Sequence, residues 1–308
     1  MPVLRSTFIA LSHHRGLRRF CEHSSLGSKL SARFVAGMEI EDALRVAESV
    51  NQQGMHVTLD SLGESVSSAE EADRASDVYH ALLDAIAERK LDANISVKLT
   101  QMGLLLDPKL AEAIATNLVE HAKHTGNFVR IDMEDSALTD VTLEIVRRIH
   151  ARTDLSESIG VVIQAYLYRS RMDTQKLIDE GIRVRLCKGA YKEPPGVAYP
   201  HKADVDAEYV RLSGTLLSSP IYHGLATHDE KMIEAAKEFA KRRNIAPSGF
   251  EFQMLYGVRR DLQRQLVADG YNVRVYIPFG HEWYPYFMRR LAERPANVLF
   301  LAKNLLRR

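Results

Sequence analysis

Charged and polar side chains gather where short β-rich runs of this sequence end. One run ends in Asp60 and Glu64, the next in Lys98, a third in Asp132, Glu134 and Asp135, and a fourth in Gln164 and Tyr166. Further on, Arg185 and Lys188 lead into Gly189, Ala190 and Tyr191; Thr227, His228 and Asp229 follow, then Gln253, then Tyr276. Lysines and arginines in such a pattern can hold a carboxylate or a phosphate, guanidiniums through two parallel hydrogen bonds. Arg289 and Arg290 add an adjacent pair where an eighth helix is expected to open. Two cations at a helix start oppose its dipole, and an anion between them would relieve the conflict. A solvated basic turn paired to Glu293 is the plainer reading of the same residues. Lys98 or Lys188, with a lowered pKa, could also form a Schiff base. His228 beside Asp229 falls short of a clustered ligand set, so no metal is expected.

The elements that would position these residues follow from periodicity. Candidate strands cover 56–62, 95–99, 128–133, 160–165, 183–188, 224–227, 250–255 and 273–278. Between them lie stretches with apolar residues three and four apart, among them 69–90, 108–124 and 138–152. Asp107 before Pro108 marks a helix start, Ser67 before Glu70 fits a capping box, and Gly126 and Gly181 stand where helices should stop. Strands alternating with helices imply parallel pairing with right-handed crossovers. No glycine-rich fingerprint follows an early strand, and eight units is the number of a (β/α)8 TIM-like barrel, whose active sites lie at the C-terminal strand ends. The expected organisation is an N-terminal helical arm over 1–50, packed on the barrel or on a second subunit, and a barrel catalytic domain over 51–308.

Bulk properties agree. A barrel of about 250 residues plus an extension fits the 308 present. A net charge of +1 argues against a broad nucleic-acid surface. Cys21 and Cys187 are too few for a disulfide framework and suit a reducing cytoplasm. No apolar run approaches the length of a membrane span. The start is not expected to be a secretory signal, because the apolar stretch at 8–11 is short and His13 and His14 follow it. It reads as an amphipathic arm, and a basic amphipathic helix can touch a membrane surface.

Seven segments then become specific in their order. SVKLT (96–100), IDMEDS (131–136), IQAY (163–166), RLCKGAY (185–191), ATHD (226–229), EFQMLYG (251–257) and YIPFG (276–280) are followed by RRLAE (289–293). In these the chain closely resembles the proline dehydrogenase family in its single-function bacterial form, over about residues 55–300. The resemblance implies a distorted barrel holding non-covalent FAD. It also implies oxidation of L-proline to Δ1-pyrroline-5-carboxylate by hydride transfer to FAD N5, the first step of proline catabolism, with electrons passing to a membrane quinone.

By the same resemblance, Lys98, Arg289 and Arg290 would clamp the proline carboxylate. Tyr276 and Leu255 would wall the ring, with Tyr191 and Tyr286 close by, and Glu64 would pair with Arg289 when the site closes. Arg185 would contact the flavin near N5, with Asp132 balancing the cations beside it. Gln164 and Gln253 would touch the flavin. Lys188, Gly189, Ala190, Thr227 and His228 would touch its chain, phosphates or adenosine. Arg290 would also lie toward the cofactor, and Glu293 would hold an arginine or a ribitol hydroxyl. The implied partners are proline, the quinone and a peripheral membrane surface on the inner face of the cell membrane; a pyrroline-5-carboxylate dehydrogenase and a homo-oligomer stay open.

Two positions depart from the family pattern. Cys187 is expected to act as a small buried hydrophobe, and Lys192 stands where the family has an aromatic. The segment 193–202, EPPGVAYPHK, has no motif of its own and could form a loop over the cofactor. A Schiff-base aldolase and a degenerate barrel that only binds are the competing readings. The intact set of Lys98, Asp132, Arg185, Arg289 and Arg290 argues against the second.

Overall fold

The computed structural model describes residues 31–63 and 65–293, with side chains as far as Met288. Most of the N-terminal arm, Glu64, and the side chains of Arg289, Arg290 and Glu293 therefore lie outside the described residues. Helix α1 (Ile40–Asn51) precedes a regular alternation: β1 (His56–Ser61), α2 (Ala69–Arg89), β2 (Ala93–Val97), α3 (Pro108–His124), β3 (Val129–Ile131), α4 (Thr139–His150), β4 (Ile159–Gln164), α5 (Ser170–Asp179) and β5 (Arg183–Cys187). Then come α6 (Lys202–Leu217), β6 (Gly224–Ala226), α7 (Glu230–Arg242), β7 (Glu251–Leu255), α8 (Arg260–Ala268), β8 (Asn272–Phe279) and α9 (Trp283–Glu293). Each strand pairs parallel with the next, and β8 returns to β1 with Thr58 beside Tyr276, closing the barrel.

The period of two along each strand divides its residues between two environments. Val57 and Leu59 of β1, Ile95 and Val97 of β2, Val129 and Ile131 of β3, and Val184 and Leu186 of β5 are fully buried in the main core. They meet apolar helix faces such as Ala111, Ala115, Leu118 and Ala122 of α3. Each fully buried aliphatic chain contributes about 1.5–3 kcal/mol. The alternate residues turn inward, and there this barrel is polar: Thr58 and Asp60, Asn94 and Ser96, Arg130, Arg185, Glu251 and Gln253, and Arg274 and Tyr276, several of them bonded to one another across strands. Barrels of this class ordinarily fill the interior with branched apolar side chains. Two inward glycines give these long side chains room. A Cβ on Gly160 would come within 2.5 Å of an Arg130 nitrogen, and one on Gly224 within 2.3 Å of the Gln253 amide.

Local signals are mostly where the sequence puts them. Asp107 caps α3 by accepting from the Lys109 amide, and Gly126 and Gly181 adopt φ of +67° and +78°. Ser67 is not the cap of α2: Ser68 is, accepting from the Glu71 amide, while Ser67 donates to the Glu71 carboxylate. The stretch expected as a helix over 138–152 begins with a tight turn at Ser136–Leu138 and is regular over Thr139–His150. The final helix begins at Trp283, so Arg289 and Arg290 sit in its second turn and not at its opening. Their supposed conflict with the helix dipole, which acts mainly within the first turn, falls away. Helix α1 packs on β8 and β1, and among the described residues no helix is long and apolar enough to cross a membrane.

Candidate active site

The inward-facing residues nearest the C-terminal strand ends converge on one carboxylate. Asp132, just beyond β3, accepts from Ser96 Oγ at 2.7 Å and from Arg185 Nη1 at 2.9 Å through Oδ1, and from the Tyr276 hydroxyl at 2.9 Å through Oδ2. Four strands thus lock its position. Arg185 is fixed from other sides: Nε donates to the Gln253 carbonyl oxygen, Nη1 also reaches Ser96 Oγ, and the guanidinium lies 5.3 Å from the centre of the Tyr276 ring. Burial, then the carboxylates of Asp132 and Asp60, push the Tyr276 phenol far above its usual range, so it stays a neutral donor.

Beside this hub Lys98 Nζ contacts Asp60 Oδ1 at 2.9 Å. Burial raises the Asp60 carboxyl toward the neutral form. Burial also works against the Lys98 ammonium, yet Asp60 and Asp132 overcome it and hold lysine above its usual range. The short contact beside a second carboxylate keeps the proton on Lys98, as an ion pair. An ammonium has three donors, and Asp60 takes one.

These groups face a cavity of about 310 Å³. Lys98, Asp132, Gln164, Arg185, Ala190, Tyr191, His228, Gln253, Leu255, Tyr276 and Tyr286 all line it. Val162, Ala226 and Met254 add apolar wall. Lys188, Gly189 and Thr227 are not part of that wall. Lys188 is instead held by Asp206 at 2.5 Å and Asp229 at 2.8 Å, and Thr227 Oγ1 accepts from the Asp229 amide. Gly189, at φ +113°, lies where a Cβ would meet the Tyr166 ring at 2.4 Å. Gln164 donates to the Glu134 carbonyl and accepts from the Ala190 amide, which ties the loops after β3 and β5 to the end of β4. His228 Nε2 accepts from the Leu255 amide at 2.8 Å, which assigns a neutral ring its proton on Nδ1.

Cys187 is half-buried and forms part of the cavity wall, so it is not the enclosed core residue expected. Burial pushes its thiol up to about 12, and it remains an uncharged thiol. The segment after Tyr191 is pinned: the Glu193 carboxylate accepts from the Ser136 amide and hydroxyl, and Leu167 pairs with Ala198. Sequence reasoning named Asp60 and Glu134 as strand-end acids but gave them no role. Asp60 is the partner of Lys98, and Glu134 accepts from the Thr100 amide and hydroxyl to hold the loop after β2. Ser96 opens the SVKLT segment but has no role assigned from sequence, though it stands two residues before Lys98 on the same inward face.

The donor set suits a flavin. Cationic and amide donors from Arg185 and Gln253 lie on the floor of a cavity whose walls are largely apolar, the pairing a heteroaromatic ring with polar edges requires.

The sequence model of the family described as Proline dehydrogenase matches residues 43–303. The chain is 41% identical over 307 residues to Proline dehydrogenase 1 of Bacillus subtilis subsp. natto, covering 99% of this chain and all of that one. It is 42% identical over 281 residues to Proline dehydrogenase of Deinococcus radiodurans, covering 90% of each. Among solved structures, proline utilization A (PutA) from Bdellovibrio bacteriovorus inactivated by N-propargylglycine superposes with a TM-score of 0.81 at 27% identity, over 86% of this chain. This chain spans 32% of that larger protein. With the family matched along most of the sequence and full-length relatives so named, the chain belongs to the proline dehydrogenase family and is an oxidoreductase of proline catabolism.

Proposed function

We propose that the cavity binds FAD and L-proline together and oxidises proline to Δ1-pyrroline-5-carboxylate. The observation that carries this reading is the convergence of Arg185, Tyr276 and Ser96 on Asp132, with Lys98 beside it, in one apolar-walled cavity. FAD, when bound, supplies the hydride acceptor at N5 and hands the electrons to a quinone. The chain's own residues do the rest. Lys98, with its remaining donors, and Arg289 and Arg290 on α9 hold the substrate carboxylate and so place the ring, which lowers the barrier through proximity. Tyr276 and Leu255 wall that ring and exclude water, with Tyr191 and Tyr286 near. Glu64 pairs with Arg289 as the site closes. The substrate amine must be neutral for its lone pair to stabilise the forming iminium.

Arg185 supplies a cation at the cavity floor. Its contacts to Asp132, Gln253 and Ser96 already fix it, so it stabilises developing negative charge without reorganising. Gln164, Gln253 and His228 border the ring-binding part of the site. Lys188, Gly189, Ala190, Thr227, Arg290 and Glu293 lie toward the cofactor's chain. Because the acceptor quinone is a membrane molecule, we place the enzyme on the cytoplasmic face of the cell membrane as a peripheral protein. The test is to denature the purified protein, identify the released chromophore by mass, and assay proline-dependent reduction of a soluble quinone. FAD with quinone reduction is expected; release of FMN, or turnover with oxygen alone, contradicts the proposal.

A further inference from the structure

Among the described residues, the opposite end of the barrel carries a positive charge with no carboxylate to pair it. A second cavity, of about 80 Å³, lies beneath the floor formed by Arg185 and Gln253, which line both cavities. Four guanidiniums line it, from Arg130, Arg183, Arg185 and Arg274, against one carboxylate, Glu251. Three of the four have carboxylate partners. Arg274 Nε meets Glu251 at 2.8 Å, Arg185 meets Asp132 at 2.9 Å, and Arg183 meets Glu157 at 2.9 Å on the rim. Arg130 has none among the described residues. Its hydrogen bonds both leave Nη1, for the carbonyls of Val161 at 3.1 Å and Arg183 at 2.7 Å, and Nε meets no acceptor although the residue is 5% exposed. The Phe128 ring, 4.7 Å from its guanidinium carbon, offers only partial compensation.

Arginine cannot shed its proton in a protein, so a buried unpaired guanidinium needs an anion. We infer that the cavity beneath Arg185 and Gln253 binds a halide-sized monovalent anion, held by Arg130 between Arg183 and Arg274. The small space, about 80 Å³, favours a small ion with its water over a larger anion. The charge class follows from the single unpaired cation. His223 reports the same excess: burial first, then Arg130, depress its ring to about 3, and it serves as a neutral acceptor for the Val184 amide. The anion would lie on the far side of Arg185 from the large cavity, where it offsets part of that charge.

The test uses the full-length holoenzyme. Crystals soaked in sodium bromide should show an anomalous peak within hydrogen-bonding distance of the Arg130 guanidinium. In solution, the melting midpoint should rise as chloride replaces gluconate at constant ionic strength, and Arg130→Gln should abolish both signals. No bromide peak, or a water refining in its place, overturns the proposal. A bromide peak without any chloride dependence of melting means an adventitious ion only, and also overturns it. Should Arg130→Gln fail to fold, the two wild-type measurements still decide.

Discussion

The two ends of this barrel are built from the same residue types to different effect. At the C-terminal end, Arg185, Lys98, Asp132 and Asp60 bond to side chains of neighbouring strands and face a cavity of about 310 Å³. At the N-terminal end, arginines reach the backbone: Arg274 donates to the Val57 carbonyl, and Arg130 to those of Val161 and Arg183. The space left there is about 80 Å³. Charges held by neighbouring side chains at the edge of a wide space can serve chemistry, whereas charges that tie strand backbones together serve assembly. The lower end should therefore govern stability and the upper end rate.

The largest expected effect comes from breaking the lower end. Glu251 is 3% exposed and accepts from Arg274, Gln253 and Tyr222. Burial would raise its carboxyl, yet Arg274 overrides this and keeps it ionised. Glu251→Gln strands a buried guanidinium and should cost about 3–5 kcal/mol of stability. Denaturant unfolding measures this, and the proline-dependent reduction rate of the folded fraction should stay near wild type. A collapsed rate with intact stability would reverse the comparison.

Next comes Arg185→Met at the upper end. Loss of one preorganised charge donor should slow flavin reduction by about 10²–10³-fold, and the flavin potential should fall. Stopped-flow reduction and potentiometry check this. Asp132 keeps Ser96 and Tyr276 as donors, so the loss of stability should be smaller than for Glu251→Gln. A wild-type rate and potential would remove Arg185 from the flavin's surroundings.

Tyr276→Ser sharpens the account of the wall. Enlarging the space beside the ring should shift the ratio of specificity constants toward 4-hydroxyproline over proline by about 1–3 kcal/mol, or roughly 10- to 200-fold. An unchanged ratio would take Tyr276 away from the substrate.

The smallest effect lies at the rim of the lower end. His56 Nδ1 lies 2.5 Å from Asp92, whose hydrogen bond raises the imidazole against the opposing effect of burial. A histidine raised on folding contributes stability fully below its unfolded value of 6.5, and that contribution is lost as pH rises through the higher folded value. Asp92 is lowered by the same contact, so the benefit also disappears in strong acid, as pH falls through its folded value. With Asp92 well exposed, the pair is worth at most about 1 kcal/mol. Asp92→Asn should therefore lower the melting midpoint at pH 5.5 and leave it nearly unchanged at pH 9; equal shifts at both would mean the ion pair is not the source.

Much of this was legible in the sequence because period two sorts strand residues so cleanly. Outward apolar residues mark all eight strands, mostly Val, Ile and Leu but Phe252 and Met254 in β7, and the strand-end motifs place Lys98, Asp132, Arg185 and Tyr276 together. The lower cluster was legible too, though unread. Stepping back two residues from Asp132, Arg185, Gln253 and Tyr276 gives Arg130, Arg183, Glu251 and Arg274. Which of these pair was not legible, because the partner of Arg274 depends on register between strands and not on spacing within one. The last helix starts earlier than its arginine pair suggests, at Trp283, with Pro285 in the first turn, where proline is tolerated. Ser67 and Ser68 are chemically equal as caps, and only the path of the chain into α2 selects the second.

The central claim is that the upper cavity joins a flavin to proline, and anaerobic mixing of the purified protein with L-proline tests it most directly. The visible flavin absorbance should bleach to that of the fully reduced cofactor, with the rate saturating in proline and little response to D-proline. A protein that takes up no flavin, or whose flavin keeps its oxidised spectrum at saturating L-proline, would contradict the account.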